Sequence, residues 1–146
     1  MNYFKAAEQV LLSVRALEQS IENLERREKR LIDGGAPRGV GKADIKKAFT
    51  ATRFVNETLN EALELTECSR NLRKTRAKIE EIKTVIGQLA PEHRELVNLW
   101  YLEHRPKERI MEAMHVDSLS TIYNLRNKAV AEFALLYYGS ESLTSI

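Results

Sequence analysis

Residues 115–129 read HVDSLSTIYNLRNKA. Apolar residues recur at helical spacing through Ile122, Leu125 and Ala129, and the His-Val-Asp-Ser ahead of them has the composition of a short turn. Ser118 stands where an N-cap serine accepts a hydrogen bond from a backbone N–H two or three residues on. A helix is therefore predicted from Ser118 to about Tyr138, with Gly139 placed to end it. Its buried stripe is read as Ile122, Leu125, Ala129, Phe133 and Leu136. Near the start of the opposite side stand Leu119, Ser120, Tyr123, Asn124 and Asn127, with Arg126 and Lys128 beside them.

Upstream, Pro106 opens a shorter helical stretch, PKERIMEAMH, with Ile110, Met111, Ala113 and Met114 available to a core. Ala90-Pro91-Glu92 opens another, with Leu96, Val97, Leu99, Trp100 and Leu102 as its apolar face. Three helices, the last two joined by a tight turn, make a helix-turn-helix unit. In such units the N-terminal half of the second helix enters the major groove. Ser and Asn can exchange hydrogen bonds with base edges there, and Arg and Lys reach phosphates or guanine. The plainer account is that these are solvated surface positions, and periodicity alone does not separate the two.

The first third of the chain has a different texture. Tyr3, Ala7, Val10, Val14, Leu17, Ile21, Leu24 and Leu31 alternate at spacings of four and three, with Glu28 in the one gap. That heptad pattern predicts a long helix packed on a partner helix. Residues 33–42 hold four of the six glycines in the chain and Pro37, so a loop is expected there. Helical spacing resumes near Ala43 and runs to Leu89 through Ile45, Phe49, Leu59, Leu63, Leu72, Ile79, Ile82 and Ile86. Asn56, Thr66 and Ser69 near this stripe leave a kink or second break open. A two-helix hairpin leaves apolar surface uncovered, so self-association into a homodimer through these helices is expected.

Charge and composition narrow the function. Up to residue 90 the chain carries 17 Lys+Arg against 13 Asp+Glu, and beyond it 6 against 8. The basic excess lies in two runs: nine Lys+Arg against three acids over residues 26–53, and RNLRKTRAK over 70–78. Long surface helices carry such runs for solubility, but they could also meet a nucleic-acid backbone. Cys68 is the only cysteine, so no disulfide forms within the chain, and a reducing cytoplasm is expected. No signal peptide is visible, and no apolar run is long enough to span a bilayer. His93, His104 and His115 lie eleven apart without acidic or cysteine partners in a metal pattern. GAPRGVGKA fails as a phosphate-binding loop, because Ala36 and Ala43 replace the required Gly and Ser/Thr. No nucleophile–base pairing is legible, so neither enzyme activity nor a cofactor is expected.

The stretch LAPEHRELVNLWYLEHRPKERI, followed by SLSTIYNLRNKAV, resembles region 4 of bacterial sigma factors. In size and layout it is also similar to phage late-gene transcriptional regulators of the ArpU/RinA type. The matching features are Leu89 and Pro91 ahead of Arg94, then Leu96, Leu99 and Tyr101-Leu102. After the turn come Ser118, Ser120-Thr121-Ile122-Tyr123 and Lys128-Ala129. The resemblance implies that Leu119, Ser120, Tyr123, Asn124 and Asn127 face bases in double-stranded DNA, with Arg126 and Lys128 nearer the backbone. Arg109-Ile110-Met111 and Met114-His115 depart from the usual Glu-Ile-Ala and Leu-Gly, and the turn reads one residue long.

The reading is thus an all-α chain. A long helical hairpin (1–88) precedes a helix-turn-helix domain (89–138) and a flexible tail (139–146). The expected function is sequence-specific DNA-binding transcription regulation, phage-encoded and acting on late or packaging genes. Ser118 opens the reading helix, and Arg105, Lys107, Arg70, Arg73 and Lys74 are further candidate phosphate contacts. The rival is a helical adaptor that binds RNA polymerase or another protein without reading DNA.

Overall fold

Local chemistry explains where each helix starts and stops. The computed structural model describes residues 1–34 and 53–144. Most of the Gly-rich loop, the basic residues Arg38, Lys42, Lys46 and Lys47, and the apolar Ile45 and Phe49 lie outside the described residues. Helix α1 spans Tyr3–Asp33 and α2 spans Arg53–Gly87, while α3, Pro91–Val97, passes into a single π-helical turn, Asn98–Leu102. Helices α4 (Lys107–Met114) and α5 (Leu119–Tyr138) follow, and a 3-10 turn covers Gly139–Thr144. There is no strand among the described residues. The chain is all-α, with a long N-terminal helix pair as expected. α2 is one unbroken helix, without the second break that Thr66 and Ser69 suggested.

Two units emerge, and their boundaries differ from the expected division at residue 88. One comprises Leu17–Ala77, and the other combines Met1–Ala16 with Lys78–Ile146. A long helix can contribute different stretches to different cores, which a linear division of the sequence does not capture.

In the Leu17–Ala77 unit, α1 and α2 run antiparallel. Leu24, Cys68 and Leu72 form its buried centre, with Ile21 and Leu31 packed against them. Burying a leucine fully is worth about 1.5–3 kcal/mol. The stripe on α2 runs through Leu59, Ala62, Leu65, Cys68 and Leu72, whereas Leu63, expected on it, is 51% exposed. Ala62 and Leu65 keep the three–four rhythm from Leu59, and Leu63 falls off that face. Of the polar residues near the stripe, Thr66 Oγ1 donates back to Ala62 O at 3.0 Å within its own helix, and Ser69 pairs across the hairpin. Ser69 Oγ donates to Glu28 Oε2 at 2.7 Å, which accounts for the glutamate in the heptad gap. Arg76 pairs with Glu25 at 2.5 Å.

In the other unit, Ala7, Leu11 and Val14 of α1 share a core with Ile82, Ile86, Leu96, Tyr101, Ile110, Ile122 and Phe133. Leu11, absent from the expected seam, is fully buried, while Val10 is only half-buried. The start of α3 is tied to α5 by Glu132, whose Oε1 accepts the Ala90 N–H at 2.8 Å and lies 3.2 Å from His93 Nδ1. A carboxylate is favoured at a helix N-terminus because the first N–H groups lack intrahelical partners. The π turn closes with the Glu103 N–H donating to Asn98 O at 2.8 Å. The added residue turns Tyr101 inward, where the sequence reading had placed only its neighbours. The buried face of α5 also shifts from the expected one: Val130 and Ala134 are buried, Leu125 is half-buried and Leu136 is exposed. Gly139–Thr144 forms a 3-10 turn where a loose tail was expected, and the Tyr3 hydroxyl donates to Glu141 Oε2 at 3.1 Å.

α4 ends with its last carbonyls satisfied by the chain folding back. The His115 N–H donates to Glu112 O at 3.3 Å and the Val116 N–H to Met111 O at 2.9 Å. This double bond pattern places His115 in the left-handed region, with φ 55° and ψ 45°. Glycine is the residue that adopts that conformation without steric cost. His115→Gly is expected to raise stability by about 0.5–1 kcal/mol. Gly139, at φ 75° and ψ −156°, sits where only glycine fits, so Gly139→Ala is expected to cost about 1–3 kcal/mol. Thermal unfolding of the two variants should move in opposite directions.

Candidate nucleic-acid interface

The phase of α5 is set at its first residue. Ser118 is extended, with φ −127° and ψ 137°, and its Oγ accepts the Thr121 N–H at 3.3 Å. Ser118 Oγ also shares a hydrogen bond with Ser120 Oγ at 2.8 Å. From that cap, Ile122, Ala129, Val130, Phe133 and Ala134 turn into the core. Ser120, Asn124 and Asn127, spaced four and three apart, are exposed on one face with Lys128 beside them. Leu119, at the head of the helix, is 55% exposed.

Three of the sequence-predicted site residues are instead drawn into the unit. Ser118 serves as the cap. Tyr123 is half-buried and stands edge-on to Trp100, ring centroids 5.5 Å apart. Lys107 Nζ lies 4.8 Å from the centroid of the Tyr123 ring. Such cation–ring contacts contribute about 0.5–1 kcal/mol at exposed sites. Arg126, expected near the DNA backbone, is half-buried too.

The Arg126 guanidinium lies 5.4 Å from the Trp100 ring, 5.5 Å from Tyr123 and 6.0 Å from Phe4. Its Nη1 donates to Glu8 Oε2 at 3.2 Å, and the two side chains are only 22% and 25% exposed. The same Glu8 oxygen accepts the Tyr101 hydroxyl at 2.6 Å. Burial, then the Glu8 carboxylate, push the Tyr101 phenol well above its ordinary range, with Arg126 pulling the other way. Tyr101 therefore remains a proton donor, and Glu8 takes two charge-assisted hydrogen bonds on one oxygen. The Arg126 Nε donates to Asn127 Oδ1 at 2.9 Å. Glu8 is the residue that sequence reasoning missed. On a heptad helix it reads as one of the solvated flank positions, and no local signal links it to a residue 118 positions away.

The remaining candidates are scattered. Arg105 pairs with Glu103 at 3.2 Å and stays exposed. In the Leu17–Ala77 unit, Arg70 pairs with Glu67, while Arg73 and Lys74 are exposed. Arg27, Arg70 and Lys74 line one groove there, but Glu64 and Glu67 line it too, so its charge is mixed. Cys68 is buried, which raises the thiol, and its Sγ donates to Leu24 O at 3.4 Å. Of the histidines, His93 bonds Glu132, and His104 and His115 occupy left-handed turn positions. No group of three His, Cys, Asp or Glu gathers as a metal site among the described residues. No helix among them is long and apolar enough to cross a membrane.

Removing the Tyr101 hydroxyl leaves the Glu8–Arg126 pair in place but deletes a bond to a charged acceptor, worth about 1.5–3 kcal/mol. Tyr101→Phe should therefore lower the urea-unfolding free energy by roughly 2 kcal/mol. An unchanged midpoint and slope would show that the bond does not hold the unit together.

No protein-family model matches the chain, and neither the curated proteins nor the solved structures contain a match to it.

Proposed function

We propose that the chain is a sequence-specific regulator of transcription that binds double-stranded DNA through α4, the turn at His115 and α5. One observation carries this reading. The serine-capped α5 presents Ser120, Asn124, Asn127 and Lys128 on its exposed side, while its apolar face is packed away. An α-helix fits the major groove, and side chains of these types at its N-terminal half can exchange hydrogen bonds with base edges. Ser120, Asn124 and Asn127 read bases in this proposal, and Lys128 and Lys107 neutralise phosphates. Arg126 holds the helix in place. Action on phage late or packaging genes belongs to the same proposal and rests on the resemblance over roughly residues 89–136. A homodimeric state rests on the apolar surface a two-helix hairpin leaves uncovered, and a cytoplasmic setting on the single Cys68.

A second reading is favoured by the exposure of Leu119 at the tip of α5. On it, α5 docks onto a protein surface such as RNA polymerase. Ionic strength separates the two: DNA affinity falls steeply with added salt through counterion release, whereas an apolar protein contact changes little.

Selection of bound fragments from a random duplex library, sequenced after several rounds, tests the proposal. A shared motif is expected. Asn124→Ala should weaken the selected site by about 1–3 kcal/mol, and Lys128→Ala should weaken all sequences alike and lower the salt slope by about one. Recovery of no motif at low salt would transfer the assignment to the adaptor.

A further inference from the structure

We propose that Glu8 is a positioning residue for sequence reading, which orients Asn127 through Arg126 so that Asn127 selects guanine over adenine at one base pair. This rests on the reading that α5 enters the major groove.

The chemistry of the contact fixes the orientation. A guanidinium has only donors, so the Asn127 atom facing Arg126 Nε at 2.9 Å is the carbonyl oxygen. The carboxamide nitrogen is thereby left to face outward. Arg126 is planar, so its Nε and Nη1 bonds are geometrically linked. Glu8 holds Nη1 at 3.2 Å, and the rings of Phe4, Trp100 and Tyr123 enclose the plane of the group. The side chain is thus constrained at both ends, and its setting passes to Asn127.

The consequence for recognition follows from the base edges. Adenine shows an acceptor, N7, beside a donor, N6, and pairs with an asparagine that offers both its oxygen and its nitrogen. Guanine shows two acceptors, N7 and O6. One lone pair of Oδ1 is taken by Arg126 and the oxygen is turned toward that side chain, so Asn127 meets the groove with its NH2, and guanine is the purine with two acceptors to complement it.

The test uses duplex selection by the full chain in five forms: unaltered, Asn127→Ala, Glu8→Gln, Arg126→Lys and Tyr101→Phe, each with its unfolding temperature recorded. The unaltered protein is expected to show one position where guanine is preferred to adenine about tenfold. That preference should vanish in Asn127→Ala and fall to about twofold in Glu8→Gln and Arg126→Lys, other positions being unchanged. Tyr101→Phe should lose stability and keep the preference, which separates positioning from structural support. Adenine at the Asn127-dependent position, or full guanine preference in both Glu8→Gln and Arg126→Lys, would overturn the relay while leaving the DNA-binding reading intact. No enriched sequence for the unaltered protein would overturn both.

Discussion

One carboxylate oxygen, Oε2 of Glu8, accepts hydrogen bonds from the Tyr101 hydroxyl and the Arg126 guanidinium, and the unit that carries α5 is organised around it. The three residues come from α1, the π turn and α5, so one acceptor ties together elements far apart in sequence. Both charged side chains are largely withdrawn from water. Removing either partner of such a pair leaves the other as an uncompensated charge, which is more damaging than losing the attraction itself. The π turn belongs to the same arrangement. It brings Tyr101 inward while Trp100 contacts Arg126 and Tyr123, so consecutive aromatic residues serve two sides of one network.

This network has an electrostatic consequence for the exposed face of α5. Arg126 is neutralised within the unit, leaving Lys128 as the cation on the exposed side of that helix. Lys107 is placed over the Tyr123 ring and remains exposed. Beyond residue 90 the sequence holds more acids than bases. Phosphate neutralisation supplies most nonspecific DNA affinity. On the proposed DNA-binding role, a surface so weakly basic would depend correspondingly more on base-edge contacts, and therefore on how firmly each proposed reading side chain is held.

Much of the architecture was legible in the sequence because local rules govern helix ends. Ser118, Pro91, Pro106 and Gly139 mark boundaries through capping, ring geometry and glycine conformation, which need no knowledge of the rest of the chain. The side-chain types exposed on α5 were also legible. Pairings over long sequence distances were not. Glu8 and Leu11 carry no mark that separates a packed position from a flank, because α1 meets one set of neighbours up to Ala16 and another beyond it. Arg126 looked like a free cation for the same reason, since its partner lies at the other end of the sequence. The π turn escaped notice because one extra residue in a helix leaves the apolar spacing nearly unchanged.

The unit containing α5 is assembled from both ends of the chain, and this sets an order for its folding. Synthesis delivers Met1–Ala16 first, yet their partners around Arg126–Ala134 follow more than a hundred residues later. At typical rates of synthesis that interval is roughly 5–20 s. Until then Ala7, Leu11 and Val14 can meet Ile82, Ile86 and Leu96 but not Ile122 or Phe133, so their core stays incomplete. The Leu17–Ala77 hairpin, whose two arms are close in sequence, can form during the wait. The unit with α5 can be completed only once residues up to Phe133 are made, as a late closure of distant segments. The nascent chain therefore carries a partly uncovered apolar stripe over Ala7–Val14 while residues up to Phe133 are made, and that stripe is where a chaperone would find it.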